Sequence, residues 1–141
     1  MKLESIKTYV VGNPPPSFGG RYFVFVKIRT TCGIEGVGEA YAATFSPHVI
    51  AAMAEDLFAR VFAGEDPMQT ETLWRRAYGE GFSLRPDISL MGVLSALEMA
   101  CWDIVGKELN KPVYELLGGQ VHERLRSYTY IYTEENDKTD V

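Results

Sequence analysis

Alternating apolar and polar side chains in the first third of the chain predict β-structure. The clearest strand spans residues 21–31, and one of its two faces carries Tyr22, Val24, Val26 and Ile28. Shorter alternating runs at residues 2–11 and 34–41 predict two further strands. A Pro- and Gly-rich loop at 13–20 and a turn at Cys32-Gly33 separate the three runs, so the order predicts an antiparallel meander.

The hydrophobic period then changes to that of helices. Ser46-Pro47 and Asp66-Pro67 each combine a capping residue with a proline suited to the first helical position, and each predicts a helix start. Ser89 is predicted to cap a longer helix. The apolar stripe of this longer helix is formed by Leu90, Val93, Leu94, Leu97, Cys101, Ile104 and Val105. Strands followed by helices predict an α+β fold in which a helical bundle packs on one face of the sheet.

A period of two returns near the end of the chain, at residues 125–132. No partner strand for this run exists in the sequence, and an acidic, polar tail follows it at 133–141. We therefore expect the run to belong to a larger sheet in a longer protein. The predicted organisation is one domain at 1–119, followed by a linker and a strand at 120–141.

Composition narrows the classes of partner. The net charge is −5 and the 14 lysines and arginines are scattered, which argues against a nucleic-acid partner. No uninterrupted apolar run reaches the ~18 residues of a membrane span, and the first residues lack the apolar core of a secretory signal. Cys32 and Cys101 show no metal or redox spacing, so we expect two buried, reduced thiols in a cytoplasmic protein.

The candidate chemical motifs give no self-contained site. Residues 33–38 read G-x-x-G-x-G, the reverse of the dinucleotide fingerprint, and no helix follows them, so they predict hairpin glycines. His48 and His122 are the only histidines and have no second ligand at metal spacing, whereas zinc needs three or four ligands. Asp103 and Lys107 are spaced as a helix-supporting ion pair.

An ordered set of motifs nevertheless carries a family resemblance. Residues 102–119 read W-D-x-x-G-K-x-x-x-x-P-x-Y-x-L-L-G-G, and G-V-G-E-A at 36–40 and G-E-D-P at 64–67 precede them. Pro112 and the two final glycines also predict a short helix and its end. This set resembles the N-terminal capping domain of the mandelate racemase and muconate lactonizing group of the enolase superfamily. The resemblance implies a three-stranded sheet and a helical bundle that close a (β/α) barrel, whose first strand would be residues 125–132.

The resemblance also implies a chemistry. Members of the group hold Mg²⁺ with three acidic residues and use a Lys or His base to remove the proton α to a carboxylate. The metal ligands and the base are expected beyond Val141, so no catalytic or metal-binding residue is assigned within this chain. The 141-residue chain alone is expected to be inactive.

In the same family, two loops of the capping domain project over the substrate, and here they correspond to residues 14–21 and 41–45. Phe18 is the candidate for an apolar lid contact, and Arg21 is either a contact for a substrate carboxylate or an ordinary surface residue. A further candidate lies near the end of the first barrel strand. The substrate-binding and lid candidates are Phe18, Gly19, Gly20, Arg21, Thr44, Phe45 and Tyr130.

The run at 112–121, with Arg126 and Tyr128, looks closest to galactonate-type sugar-acid dehydratases. This similarity implies a small carboxylate substrate, an acid sugar, and dehydration as the reaction. Racemases, epimerases and cycloisomerases of the group use the same cap and remain alternatives, as does a non-catalytic binding or assembly module. The resemblance also implies a homo-oligomer, because members of this family commonly form homo-oligomers.

Overall fold

In the computed structural model, which describes residues 1–17, 19–41, 46–80 and 87–128, the chain begins with the predicted meander. Strands β1 (Leu3–Gly12), β2 (Tyr22–Thr30) and β3 (Glu35–Ala40) form an antiparallel sheet in the order β1-β2-β3. The predicted α+β fold class is confirmed, and each strand boundary lies within one residue of its prediction.

The alternation in β2 separates a buried inner face from an outer one. Val24, Val26 and Ile28 are all 0% exposed and belong to the main hydrophobic core. Tyr22 shares their face by periodicity but is 54% exposed, because it begins the strand at the edge of the helical layer. The helices therefore cover one face of the sheet, as the order of elements predicted.

The hairpin glycines have two physical roles. Gly33 has a φ of +89°, which suits the turn between β2 and β3. A Cβ atom at Gly36 or Gly38 would lie 2.1 Å and 1.9 Å from the carbonyl oxygens of Ala100 and Ala96, respectively. Strand β3 thus rests directly on the backbone of a helix, which confirms the hairpin interpretation.

Helix α1 (Pro47–Leu57) begins after Ser46, as predicted, although the Ser46 side chain makes no capping hydrogen bond. The helix continues into a π-helical turn at Phe58–Phe62. The predicted start of the next helix at Asp66-Pro67 is wrong, because α2 spans Thr70–Gly79. Asp66 instead closes a local turn, in which its side chain accepts from the amide of Met68.

Helix α3 (Ile88–Leu109) is the central helix of the core. Its N-cap is Asp87, whose carboxylate accepts from the amides of Ser89 and Leu90, so the predicted cap at Ser89 is wrong. It ends at Asn110, which has a φ of +50°. By length and mean hydropathy α3 would also pass for a membrane span, but its buried residues pack against the sheet and the other helices, as in the core of a globular domain.

The Asp103–Lys107 pair is present and does more than support the helix. The Nζ atom of Lys107 lies 2.7 Å from Oδ2 of Asp103. The same Oδ2 accepts from the amide of Val37 at 2.9 Å, and Lys107 donates to the carbonyl of Glu35 at 2.7 Å. These bonds occupy backbone groups on the edge of β3, where an unpaired strand would otherwise offer them to another chain.

The short helix and the glycine end that the sequence predicted after Pro112 are both present. Helix α4 (Val113–Leu116) starts after Pro112, and Gly118 and Gly119 have φ values of +113° and +99°. Residues 125–128 are exposed and form no strand. The rest of the predicted strand at 125–132 lies outside the described residues, so its barrel assignment stays a prediction.

Candidate functional site

Both predicted lid loops leave the sheet at the same end. Gly12 at the end of β1 pairs with Tyr22 at the start of β2, and Ala40 at the end of β3 pairs with Val24. The antiparallel order therefore brings together the loop after β1 and the segment after β3, although about twenty residues separate them in sequence.

The described part of the first loop is closed by its own hydrogen bonds. The amide of Asn13 donates to the carbonyl of Arg21 at 2.8 Å, and the Asn13 side chain donates to the carbonyl of Gly20 at 2.8 Å. Gly19 and Gly20 have φ values of +82° and +143°, which other residues rarely adopt. The two glycines thus permit the bend that presents the next residue at the mouth of the loop.

A cleft of about 440 Å³ joins this loop to the end of β3 and the start of α1. One wall consists of residues 19–23, and the other consists of residues 39–41 with Ser46 and Pro47. A second cleft, of about 620 Å³, lies under the proline-rich part of the loop. Arg21 and Tyr22 line both clefts and form the ridge between them.

The guanidinium of Arg21 is exposed and has no carboxylate partner among the residues that the structure describes. Most other described cations are committed to ion pairs, such as Arg60 with Asp56 and Arg76 with Glu65. An unpaired guanidinium offers a planar fork that matches a carboxylate in two hydrogen bonds. The ridge is therefore suited to receive an anion.

The structure brings three of the predicted lid residues to this cleft, namely Gly19, Gly20 and Arg21. Four others, namely Phe18, Thr44, Phe45 and Tyr130, lie outside the described residues, and their roles stay predictions. Ser46 and Pro47, which directly follow the predicted second lid loop, form part of the cleft wall. This position places the second loop's described end beside the first loop.

Tyr41, the first residue of the predicted second lid loop, lines the cleft, whereas sequence reasoning missed Tyr22 and Glu39 as lining residues. Tyr22 was counted with the core face because the alternation of β2 places it there. A large aromatic residue at the first position of a strand, directly after a glycine loop, is the signal that would have identified it.

The described part of the chain contains no candidate metal site. No group of three or more His, Cys, Asp or Glu side chains there is placed to hold a metal ion. His48 and His122 are both exposed. The expectation of two buried thiols is wrong for Cys32, which is exposed in the turn after β2, whereas Cys101 is buried in the core.

Fold and cleft together define a class of protein: an α+β domain with an open cleft at one end of its three-stranded sheet. Residues 8–118 match the family model described as "Mandelate racemase / muconate lactonizing enzyme, N-terminal domain". The chain belongs to this family.

Relatives and solved structures agree with this assignment. A D-galactonate dehydratase of Ralstonia nicotianae is 37% identical over 131 residues, which cover 93% of this chain and 31% of the relative. RspA of Cellvibrio japonicus, a D-galactonate dehydratase family member, is 38% identical over 120 residues, which cover 85% of this chain and 29% of the relative. A solved structure from Labrenzia alexandrii of the mandelate racemase/muconate lactonizing group is 66% identical with a TM-score of 0.90, and the match covers 94% of this chain and 34% of that one. The chain thus spans about a third of the length of the proteins it matches.

Proposed function

We propose that this chain is the capping and substrate-specificity domain of a Mg²⁺-dependent enzyme that dehydrates an acid sugar. The observation that carries the proposal is the shared cleft, in which the loop with Gly19 and Gly20 meets the end of β3 beside the unpaired Arg21. The relatives named D-galactonate dehydratase support the choice of an acid sugar. Further support comes from a solved enolase of Agrobacterium radiobacter, 26% identical with a TM-score of 0.78, which contains L-malate.

The proposed reaction removes the proton from the carbon next to the substrate carboxylate and then expels the hydroxyl of the following carbon as water. The resulting enol becomes a 2-keto-3-deoxy acid, so the net change is the loss of one water molecule. Enzymes of the enolase superfamily use Mg²⁺ to stabilise the intermediate negative charge. The described residues do not fit a magnesium site, and the proposal places the ligands and the base elsewhere in the longer enzyme.

The role proposed for this chain is binding and enclosure. Arg21 would hold an anionic group of the substrate, because its guanidinium has no protein carboxylate to satisfy it among the described residues. The loop around Gly19 and Gly20 would close over the substrate, which excludes water and strengthens the electrostatic contacts inside.

The test uses the longer coding sequence that contains this chain. The purified protein is mixed with Mg²⁺ and a panel of aldonic and aldaric acids, and both the 2-keto-3-deoxy product and deuterium uptake at C2 are followed. Arg21→Ala is expected to raise KM by about tenfold or more with a smaller change in kcat, since it removes a binding contact. Arg75→Ala, on an exposed face of α2, is the matched control and should leave both constants unchanged.

A second candidate, a racemase, epimerase or cycloisomerase, is favoured by the description of the matching family model. Deuterium uptake or inversion at C2 without loss of water would support this candidate and contradict dehydration. Absence of the 2-keto-3-deoxy product, together with absence of any exchange or inversion at C2, with every acid would contradict both candidates and leave a non-catalytic binding or assembly module.

A further inference from the structure

One residue, Asn13, holds the end of the loop that leads from β1 into β2. The two strands pair as far as Gly12 and Tyr22. One residue further out, the amide of Asn13 donates to the carbonyl of Arg21 at 2.8 Å, which extends the ladder. The Nδ2 atom of the Asn13 side chain also donates to the carbonyl of Gly20 at 2.8 Å. Asn13 therefore bonds to two consecutive residues, once through its main chain and once through its side chain.

The side-chain bond reaches Gly20 at the point where strand geometry ends. Gly20 has a φ of +143°, which lies outside the range of β-strands. A carbonyl group turned away from a strand still needs a hydrogen-bond donor. The amide of asparagine supplies two N–H donors, whereas an aspartate of the same shape supplies none when it is ionised. The residue type at position 13 therefore matches the acceptor that the glycine bend leaves.

The two bonds together fix the backbone of Arg21. The carbonyl of Gly20 belongs to the peptide group that precedes Arg21, and the carbonyl of Arg21 belongs to the peptide group that follows it. Each peptide group is planar, so holding both carbonyls restricts both backbone dihedral angles of Arg21. The direction of its Cα–Cβ bond is then set as well. Asn13 thus determines where the Arg21 side chain leaves the loop.

Asn13 is itself held from within the loop. The Oγ atom of Ser17 donates to the carbonyl of Asn13 at 3.0 Å, and the amide of Gly20 donates to the carbonyl of Ser17 at 3.0 Å. Asn13, Ser17 and Gly20 are half-buried, whereas Arg21 is exposed. The hydrogen-bonded base of the loop is therefore partly shielded from water, and the guanidinium extends from it into solvent.

We propose that Asn13 is a positioning residue for substrate binding, which holds the backbone of Arg21 in the place where its guanidinium meets an anionic group. An anion that binds to an arginine on a loose loop must order the loop backbone as well as the side chain. With the backbone already held, only the side chain remains to be ordered, and the affinity is higher. The inference rests on the proposed function in one respect, namely that Arg21 contacts the substrate.

The test is a double-mutant cycle on the longer protein, with an acid sugar that it turns over. Asn13→Ala is expected to raise KM by about fivefold with less than about twofold change in kcat, because the loss falls on binding. In the Arg21→Ala background the same substitution should not raise KM further, since no guanidinium is left to position. A residue that only supports the fold would have the same effect in both backgrounds.

Gln120→Ala is the matched control, because it also removes a hydrogen bond from a side-chain amide to a backbone carbonyl, in this case that of His122. This bond lies outside the cleft, and its loss should change neither constant. Circular dichroism checks that each variant is folded.

A second measurement needs no substrate. Without ligands, the amides of residues 20–22 should exchange with deuterium about fivefold faster in Asn13→Ala than in the parent, while α2 should be unchanged. Unchanged exchange at residues 20–22 would overturn the proposal. So would an unaltered KM in Asn13→Ala when Arg21→Ala raises it, or effects on KM that add in the double variant.

Failure of the proposed function gives a different pattern. If no acid sugar is dehydrated, the proposed reaction is contradicted, and the exchange measurement alone decides whether Asn13 holds the backbone of Arg21. If an acid sugar is dehydrated but Arg21→Ala leaves KM unchanged, the reaction stands, and the binding roles of Arg21 and Asn13 are both overturned.

Discussion

The contact between β3 and α3 leaves no room for a side chain at Gly38, and Gly38→Ala should be strongly destabilising. The added Cβ atom would lie 1.9 Å from the carbonyl oxygen of Ala96 and 2.8 Å from its carbonyl carbon. A carbon normally stays at about 3.3 Å or more from such an oxygen. Since the obstacle is helix backbone, no rotamer change can relieve it, and the strand must move away from the helix by more than ~1 Å.

The cost follows from the side chains that this movement separates. Val26, Ile28 and Ile104 are all 0% exposed within the same core. A gap of ~1 Å forfeits a quarter to a half of the dispersion attraction across it, and each fully buried aliphatic side chain contributes ~2 kcal/mol. Together with the strain of overpacking, the expected loss is about 3 kcal/mol.

The assay is urea unfolding followed by circular dichroism. Gly12→Ala is the matched strand control, because no atom lies within 4 Å of a Cβ built there and its φ is not positive. We expect Gly12→Ala to change the free energy of unfolding by less than ~1 kcal/mol. A Gly38→Ala protein that unfolds within ~1 kcal/mol of the parent would refute the direct contact of strand and helix backbone.

Four other predictions use urea unfolding or a thiol reagent. Asp87→Ala should lower the free energy of unfolding by about 1 kcal/mol because it removes the N-cap of α3. Ser46→Ala should change it little, because the Ser46 side chain makes no capping hydrogen bond. Equal losses for the two variants would contradict this difference between the caps. Asp103→Ala should lower the free energy of unfolding by about 1–2 kcal/mol. Asp103→Asn should lower it less, because the amide oxygen can still accept from the backbone N–H of Val37. A larger loss for Asp103→Asn would contradict the role of Asp103 as an acceptor for the edge of β3. Burial, with a smaller effect of a nearby carboxylate, raises the pKa of Cys101 to about 12, so a maleimide should label Cys32 alone in the folded chain. Above pH ~9 the unfolded state loses the Cys101 thiol proton that the folded state keeps. The free energy of unfolding should therefore fall by up to ~1.4 kcal/mol per pH unit. In Cys101→Ala this contribution to the pH dependence of stability should be missing.

The strands could be predicted because each is defined by a local alternation that burial then enforces. The three buried aliphatic residues of β2, Val24, Val26 and Ile28, all fall on the face that the sequence assigned. The sequence predicted hairpin glycines at 33–38, but not which backbone lies against Gly36 and Gly38, because this depends on the position of α3. That position is set by the whole core and not by any local pattern.

The errors arise where one local signal fits two structures. Asp66-Pro67 has the residues of a helix start, but the same pair also closes a turn three residues earlier than the helix. Asp87 and Ser89 are both competent caps, and their residue types alone do not decide between them. The cleft likewise depends on the antiparallel register that brings the loop after β1 to the end of β3. The resemblance to a family, and not residue spacing, therefore located Arg21.

The most direct measurement of the capping role is hydrogen–deuterium exchange on the longer protein, with and without D-galactonate and Mg²⁺. If this chain closes over the substrate, amide exchange in Gly19–Arg21 should slow by about tenfold or more on addition of both ligands, because closure removes these amides from solvent. The α2 helix, which lies outside the cleft, should be unchanged. Turnover of an acid sugar with unaltered exchange at Gly19–Arg21 would contradict the lid assignment.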